Sequence, residues 1–215
     1  MNTFHLEILS KTQKDIFKKL SFLKKHNFYL AGGTALALQI GHRTSIDFDF
    51  YCLNHFNSKL LYDEIVKVFG DSVGKRLEEK DTMFCTINDI ELSFFWYKYP
   101  LIESCPDLNG VNLASIKDIS AMKIIAISHR PAKRDYIDMY YLLEKYSLSD
   151  ILLFVNKKYP EYNYYLALRA LTYFDDLGNK GKRPIEMMQK DFSWEDAKKN
   201  ISEEVKKFQL SMFKK

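Results

Sequence analysis

The chain is poor in the residues that make loop-rich or cross-linked scaffolds: of 215 residues only eight are Gly, five Pro and three Cys. Cys52, Cys85 and Cys105 are an odd count at irregular spacing with no CxxC pair, which argues against a disulfide framework or a structural zinc site. With no neighbouring His in a nucleophile's pattern, they read as packing residues. No apolar run approaches the roughly 18–20 residues of a membrane-spanning helix, and MNTFHLEILSKTQKD lacks a signal peptide's order of charge, apolar core and cleavage site. A cytoplasmic, reducing location without a membrane partner is expected. Excess charge is scarce too: 32 basic against 28 acidic residues leave +4, which permits an anionic partner without requiring one. Repeats and low-complexity tracts are absent. What remains, at 47% hydrophobic, 28% charged and 15% aromatic, suits a globular chain of one domain or two small ones.

The first 27 residues carry six Lys against Glu7 and Asp15, with Ile16, Phe17, Leu20 and Leu23 at helical spacing. This predicts an amphipathic helix with a basic outer face. FYLAG reads as a short buried strand, TALALQI as a helix closed by Gly41, and His42 to Ser45 as a polar loop. IDFDFYC alternates, predicting a strand with Asp47 and Asp49 on one face and Ile46, Phe48 and Phe50 on the other. Residues 58–69 place Leu61, Ile65 and Val68 on one stripe behind an Asn57 or Ser58 cap, and Gly70 ends that helix. A charged loop is expected next, then two strands, TMFCTI and IELSFFWY, joined by a tight Asn88-Asp89 turn. From Ser115 the pattern is helical: to about Ser128, from Lys133 to Lys145 after a break at Pro131, then LSDILLFVNKKYP, YNYYLALRALTYFDD and SWEDAKKNISEEVKKF. The expected fold class is mixed α/β (α+β), with a core over residues 1–112 and a helical subdomain over 113–215.

The chemistry concentrates between Leu30 and Tyr51. Adjacent glycines between a strand and a helix let backbone approach a ligand closely, and the N–H groups of Gly33, Thr34 and Ala35 at a helix start suit phosphate oxygens. Asp47 and Asp49, two residues apart on a strand, repel unless a cation lies between them, and magnesium is the natural cation for a carboxylate and phosphate site. Arg43, in the intervening loop, stands as either a phosphate contact or a surface salt bridge. Lys123 has Ile116, Ile119, Ala126 and Ile127 as helical neighbours, so it is a cation on an apolar face. Such a lysine either snorkels or meets an inward anion. Asp138 shares a face with Arg134 and Asp135; it pairs with Arg134, orients Lys123 or serves as a base. The tyrosines and Phe174 of the C-terminal half read as core before stacking surface. Lysines at the C-terminus, Lys206, Lys207, Lys214 and Lys215, read equally as RNA-steering charges or solvated helix faces.

The glycine pair followed by a hydrophobic-Asp-hydrophobic-Asp-hydrophobic strand resembles the signature of the DNA polymerase β-like nucleotidyltransferase superfamily. The longer string LAGGTALALQIGHRTSIDFDFY resembles the AbiEii/AbiGii nucleotidyltransferase toxins, to which the MenT toxins of type IV toxin–antitoxin systems belong. DISAMKIIAISHRPAKRDYIDMYYLL is similar to that family's lysine and aspartate motif, and LRALTYFDDL with SWEDAKKNI to its C-terminal portion. The resemblance implies that Gly32, Gly33, Thr34 and Ser45 line a triphosphate, that Asp47 and Asp49 hold magnesium, and that Lys123 and Asp138 complete the catalytic set. A third carboxylate commonly comes from a later strand; its position falls on Ser93, leaving Glu91 one pleat away as a metal ligand, with Asp138 the other choice of base. The implied reaction is transfer of a nucleoside monophosphate from a nucleoside triphosphate to a hydroxyl, with the 3′ end of a tRNA as acceptor and a separately encoded antitoxin as partner. Modification of a protein or small molecule, or silent nucleotide or RNA binding, stand as alternatives.

Overall fold

The computed structural model describes residues 3–175 and 185–213, so Asp176, Leu177, Lys214 and Lys215 lie outside the described residues. The chain divides into two compact units, Met1–Ser115 and Ile116–Lys215. None of the helices among the described residues is long and apolar enough to cross a membrane.

Unit 1 begins with helix α1 (Lys11–Phe17) and a 3-10 segment, Leu20–His26, so the basic region is two short pieces where one helix was expected. Leu20 and Leu23 are buried three residues apart, which matches the three-residue turn of a 3-10 segment. Asn27, at φ 58°, ends it in the left-handed region that Asn tolerates. Strand β1 (Tyr29–Ala31) follows, then α2 (Gly32–Ile40), β2 (Phe48–Cys52), α3 (Ser58–Phe69), β3 (Val73–Glu79), β4 (Thr82–Ile87), β5 (Ile90–Trp96), β6 (Asp107–Leu108) and β7 (Val111–Leu113). The seven strands form one mixed sheet in the order β3-β4-β5-β2-β1-β7-β6. β2 is its hinge of topology, antiparallel to β1 and parallel to β5.

Several expectations need correction here. The charged stretch after Gly70 forms edge strand β3 instead of a loop, paired antiparallel to β4; charge on an edge strand is compatible with a ladder on one side only. β2 starts at Phe48, so Ile46 and Asp47 precede the ladder, and Ile46 is exposed instead of joining Phe48 and Phe50. Val68 is likewise exposed, leaving Leu61 and Ile65 as the buried stripe of α3. The short β6–β7 pair had no counterpart in the sequence reading, since two- and three-residue strands carry too little periodicity to see. As expected, Asn57 caps α3 by accepting from Leu60 N–H at 3.0 Å, and Asn88 and Asp89 take positive φ in the β4–β5 turn.

Alternation then sorts the sheet's two faces. Phe48, Phe50, Leu92, Phe94, Met83 and Cys85 lie buried on one, where Phe17 packs on Phe48 and Phe28 on Phe94 with ring centres 6.1 and 5.3 Å apart. Each buried aromatic side chain removes apolar surface worth about 2–3 kcal/mol from water. The opposite face carries Asp49 and Ser93 directly across from each other, with Ala31 and Phe84 completing the same row.

Unit 2 contains α4 (Ile116–His129), α5 (Lys133–Leu143), α6 (Leu148–Lys158), α7 (Tyr164–Leu171) and α8 (Trp194–Met212). Helix α4 packs against α5, α6 and α7, and α8 against the same three. Local caps start the helices: Ser147 and Asp150 form a capping box on α6, Asn163 accepts from Tyr165 N–H, and Ser193 accepts from Asp196 N–H. Aromatic content divides as packing and surface: the buried Tyr136 hydroxyl reaches the carbonyls of Ala170 and Tyr173, whereas Tyr165 and Tyr173 are largely exposed.

Candidate active site

Unit 1 gathers the glycine turn and the aspartate strand at one end of the sheet. β1 ends at Ala31, paired with Asp49, and the chain turns straight into α2 through Gly32 at φ +67°, a left-handed conformation that L side chains rarely adopt. A Cβ on Gly32 would stand 3.0 Å from Asp49 Oδ2, so the carboxylate lies against the bare backbone of the turn. A Cβ on Gly33 would meet Arg43 Nη2 at 2.5 Å and Ser45 Oγ at 3.4 Å, so the guanidinium and the hydroxyl close on the next residue of the same turn. Thr34, 2% exposed, bonds its hydroxyl to the Asp47 carbonyl and lies 2.8 Å from Ser45 Oγ. A threonine hydroxyl has one proton, so with that proton on Asp47 the Ser45 hydroxyl donates to Thr34. Gly32, Gly33, Thr34, Arg43, Ser45 and Asp49 are thereby brought together, and the backbone of Asp47 with them.

Arg43 departs from its surface reading: it is 3% exposed, and its Nη1 donates to the Thr44 carbonyl at 2.9 Å. A buried guanidinium beside helix-start N–H groups makes the turn electropositive, while Asp47 and Asp49 remain half-exposed at its rim. Cradle and carboxylates suit a magnesium ion that completes its shell with water and phosphate oxygens. Glu91, expected as a third metal ligand, lies one pleat from Ser93 on β5. Its register partner is Thr86 on β4, it is exposed, and no three His, Cys, Asp or Glu among the described residues are grouped to hold a metal. The residue directly across from Asp49 is Ser93, which supplies a hydroxyl where a third carboxylate would stand.

Sequence reasoning missed Gln13. It is 3% exposed on α1, and its side-chain amide donates to the carbonyls of Ser45 and Ile46 at 2.7 and 2.8 Å. The only local signal was the Ser10-x-x-Gln13 spacing of a capping box, which says nothing about a loop more than thirty residues away.

Within unit 2, Lys123 on α4 is 6% exposed, with Nζ 2.7 Å from Asp135 Oδ1 and 2.5 Å from Asp138 Oδ2, both carboxylates on α5. It therefore does not snorkel, and Asp138 pairs with it instead of with Arg134. Asp135 was visible only as a face-mate of Asp138. A second buried pair, Lys158 with Asp118 at 2.8 Å and both fully buried, joins α6 to α4. Burial, and then the charge of Asp135, pushes the Tyr136 hydroxyl on the same helix up to about 12. Burial pushes the Cys52 and Cys85 thiols to about 12 as well, which agrees with packing roles.

Comparison with known proteins agrees with this geometry. The chain is 35% identical over 208 residues, 93% of its length and 97% of the relative's, to an uncharacterised protein of Aquifex aeolicus (strain VF5). Its fold is similar to JHP933 from Helicobacter pylori (TM-score 0.56, 17% identity, 98% of this chain and 95% of that one). It is also similar to MenT4, a nucleotidyltransferase toxin from Mycobacterium tuberculosis H37Rv (TM-score 0.51, 12% identity, 91% and 82%). The profile of the nucleotidyl transferase AbiEii toxins of type IV toxin–antitoxin systems matches residues 20–213. With a glycine turn set against an aspartate strand and a family match over nearly its whole length, the chain belongs to the AbiEii nucleotidyltransferase toxin family and is a nucleotidyltransferase.

Proposed function

We propose that this nucleotidyltransferase moves a nucleoside monophosphate from a nucleoside triphosphate to the 3′-terminal hydroxyl of a tRNA, with magnesium bound by Asp47 and Asp49, and that this arrests growth until a separately encoded antitoxin opposes it. The observation that carries the reading is the meeting of Gly32, Gly33, Arg43, Ser45 and Asp49 in one turn. Gly33 and Thr34 N–H groups and the Arg43 guanidinium take the negative triphosphate, and Ser45 adds a hydroxyl donor. Bound there, magnesium would lower the pKa of the attacking hydroxyl and offset charge on the departing pyrophosphate. The acceptor oxygen forms a bond to the α-phosphorus, the bond between that phosphorus and the α–β bridging oxygen breaks, and pyrophosphate leaves with the electron pair. The hydroxyl proton passes to a carboxylate base. By motif, Lys123 and Asp138 belong to the catalytic set; the buried contact between the two supports assigning them to one function.

The test is incubation of the protein with total tRNA, magnesium and each of the four nucleoside triphosphates in turn, followed by mass spectrometry of the tRNA. The expected result is a mass gain of one or more nucleoside monophosphates, abolished by Asp47→Ala, with slowed growth on expression of the wild type alone. A nucleoside monophosphate added to protein or to a small molecule and none to tRNA overturns the acceptor; nucleotide binding without pyrophosphate release overturns the reaction.

A further inference from the structure

The two aspartates of the site are held by different means. Asp49 sits inside β2, with register partners on both sides, Ala31 and Ser93. Asp47 stands one residue before the strand, so no sheet ladder fixes it. Its backbone is held instead by side chains. Thr34 bonds to the Asp47 carbonyl, and the carbonyls of the two residues before it, Ser45 and Ile46, are both gripped by the amide of Gln13. That amide is itself pre-set. Its Oε1 accepts from Ser10 N–H at 3.0 Å while Ser10 Oγ accepts from Gln13 N–H at 3.2 Å, a reciprocal capping box at the start of α1. Three of the four hydrogen-bonding capacities of a 3%-exposed side chain are used, two on the loop and one at the start of its own helix.

Resting on the nucleotidyltransferase reading, we infer that Gln13 is a positioning residue of the active site: α1, through this one amide, sets the loop that presents Asp47 to the metal and Ser45 to the triphosphate. A glutamine used only as a helix cap has no need of its amide protons. Here both face consecutive carbonyls of the loop that carries site residues, so the cap orients the amide and the amide orients the loop. No other residue type does both. Glutamate keeps the cap, and its charge suits the first turn of a helix, but it sets carboxylate oxygen against two carbonyl oxygens. Asparagine is one methylene short.

Two variants separate positioning from capping. Gln13→Glu retains the capping acceptor and loses both loop donors; Ser10→Ala loses the hydroxyl that caps Gln13 N–H but keeps the backbone N–H that holds the Gln13 amide, and so leaves the loop bonds. Hydrogen exchange of the peptide covering residues 43–47, measured without metal or nucleotide, and Mn2+ affinity followed by electron paramagnetic resonance are read for both variants, with melting temperature as the folding control. Gln13→Glu is expected to speed exchange across 43–47 and weaken Mn2+ binding by about tenfold while α1 stays folded. Ser10→Ala is expected to lower the melting temperature and leave Mn2+ affinity unchanged. Exchange or Mn2+ affinity equal to wild type in Gln13→Glu overturns the assignment, as does equal weakening by Ser10→Ala. A wild-type protein that transfers no nucleotide overturns the proposed function instead, and the exchange comparison still judges Gln13.

Discussion

In unit 1 the candidate site keeps its carboxylates half-exposed and holds them from behind with neutral hydrogen bonds: Thr34 and Gln13 on loop carbonyls, and a sheet ladder around Asp49. In unit 2 the charges are sunk. Lys123 lies between Asp135 and Asp138, and Lys158 is fully buried against Asp118. The first arrangement leaves charge available for a ligand at the rim of an electropositive turn. The second has given up water for fixed partners, so each charge depends on its neighbour remaining charged. A substitution in the first should therefore be read in activity, one at the Lys158–Asp118 pair in stability, and one at Lys123 or Asp138, which the proposed reaction also uses, in both.

The sharpest break in that comparison is Asp49→Asn. It should reduce nucleotide transfer by at least ~10³-fold, about 4 kcal/mol of transition-state stabilisation, while the melting temperature changes little because the replacement is isosteric and the side chain half-exposed. A clear fall in melting temperature would place Asp49 with the buried charges of unit 2. Next is Lys158→Met, which strands the Asp118 carboxylate and should cost about 3–4 kcal/mol in urea unfolding, with much of it restored when Asp118→Asn is added. If the single variant is neutral, the buried pair is not what holds α6 to α4. Gly32→Ala should sit between the two classes: a left-handed φ costs roughly 1–2 kcal/mol for an L residue, and the added methyl presses on Asp49, so activity should fall more than stability. Equal losses would make Gly32 a folding residue only.

The smallest effect concerns pH. The Tyr136 hydroxyl is raised from the ordinary value near 10 to about 12, so the folded state keeps its proton where the unfolded chain has lost it. The stabilisation is complete below pH 10 and is lost as pH rises toward 12, by about 1 kcal/mol after allowance for solvent screening. Tyr136→Phe should flatten the fall in unfolding free energy between pH 10 and 12. An unchanged slope would assign it to Tyr141, Cys52 and Cys85, which are also raised to about 12.

Much of the site was legible because its parts are close in sequence. Gly32 to Asp49 span eighteen residues, and a glycine turn, a helix and an alternating strand each have a local signature. The readings that failed did so where the deciding partner was remote or the periodicity weak. By contrast, the resemblance already sets Ser93 at the third-carboxylate position with Glu91 one pleat away, and the register agrees by pairing Ser93 with Asp49. VGKRLEE has too little alternation to announce an edge strand, and Ile46 is apolar without being inside one. Gln13 and Lys158 look like surface polar residues on amphipathic helices; they are buried because Ser45, Ile46 and Asp118, between 32 and 40 residues away, satisfy them.

What the sequence determined by itself was therefore the local chemistry: a backbone able to approach phosphate, two carboxylates at a spacing of two, a tight Asn-Asp turn and a helical second half. These depend on φ preference and side-chain period, which act over a few residues. Tertiary structure alone decided which polar groups lost water and with whom. It buried Arg43 against Gly33, paired Lys123 with two aspartates, and tied the carbonyls of Ser45 and Ile46 to α1 through Gln13. The physical reason is desolvation: a polar side chain can leave water only where a partner already stands, and the chain must fold to bring that partner there.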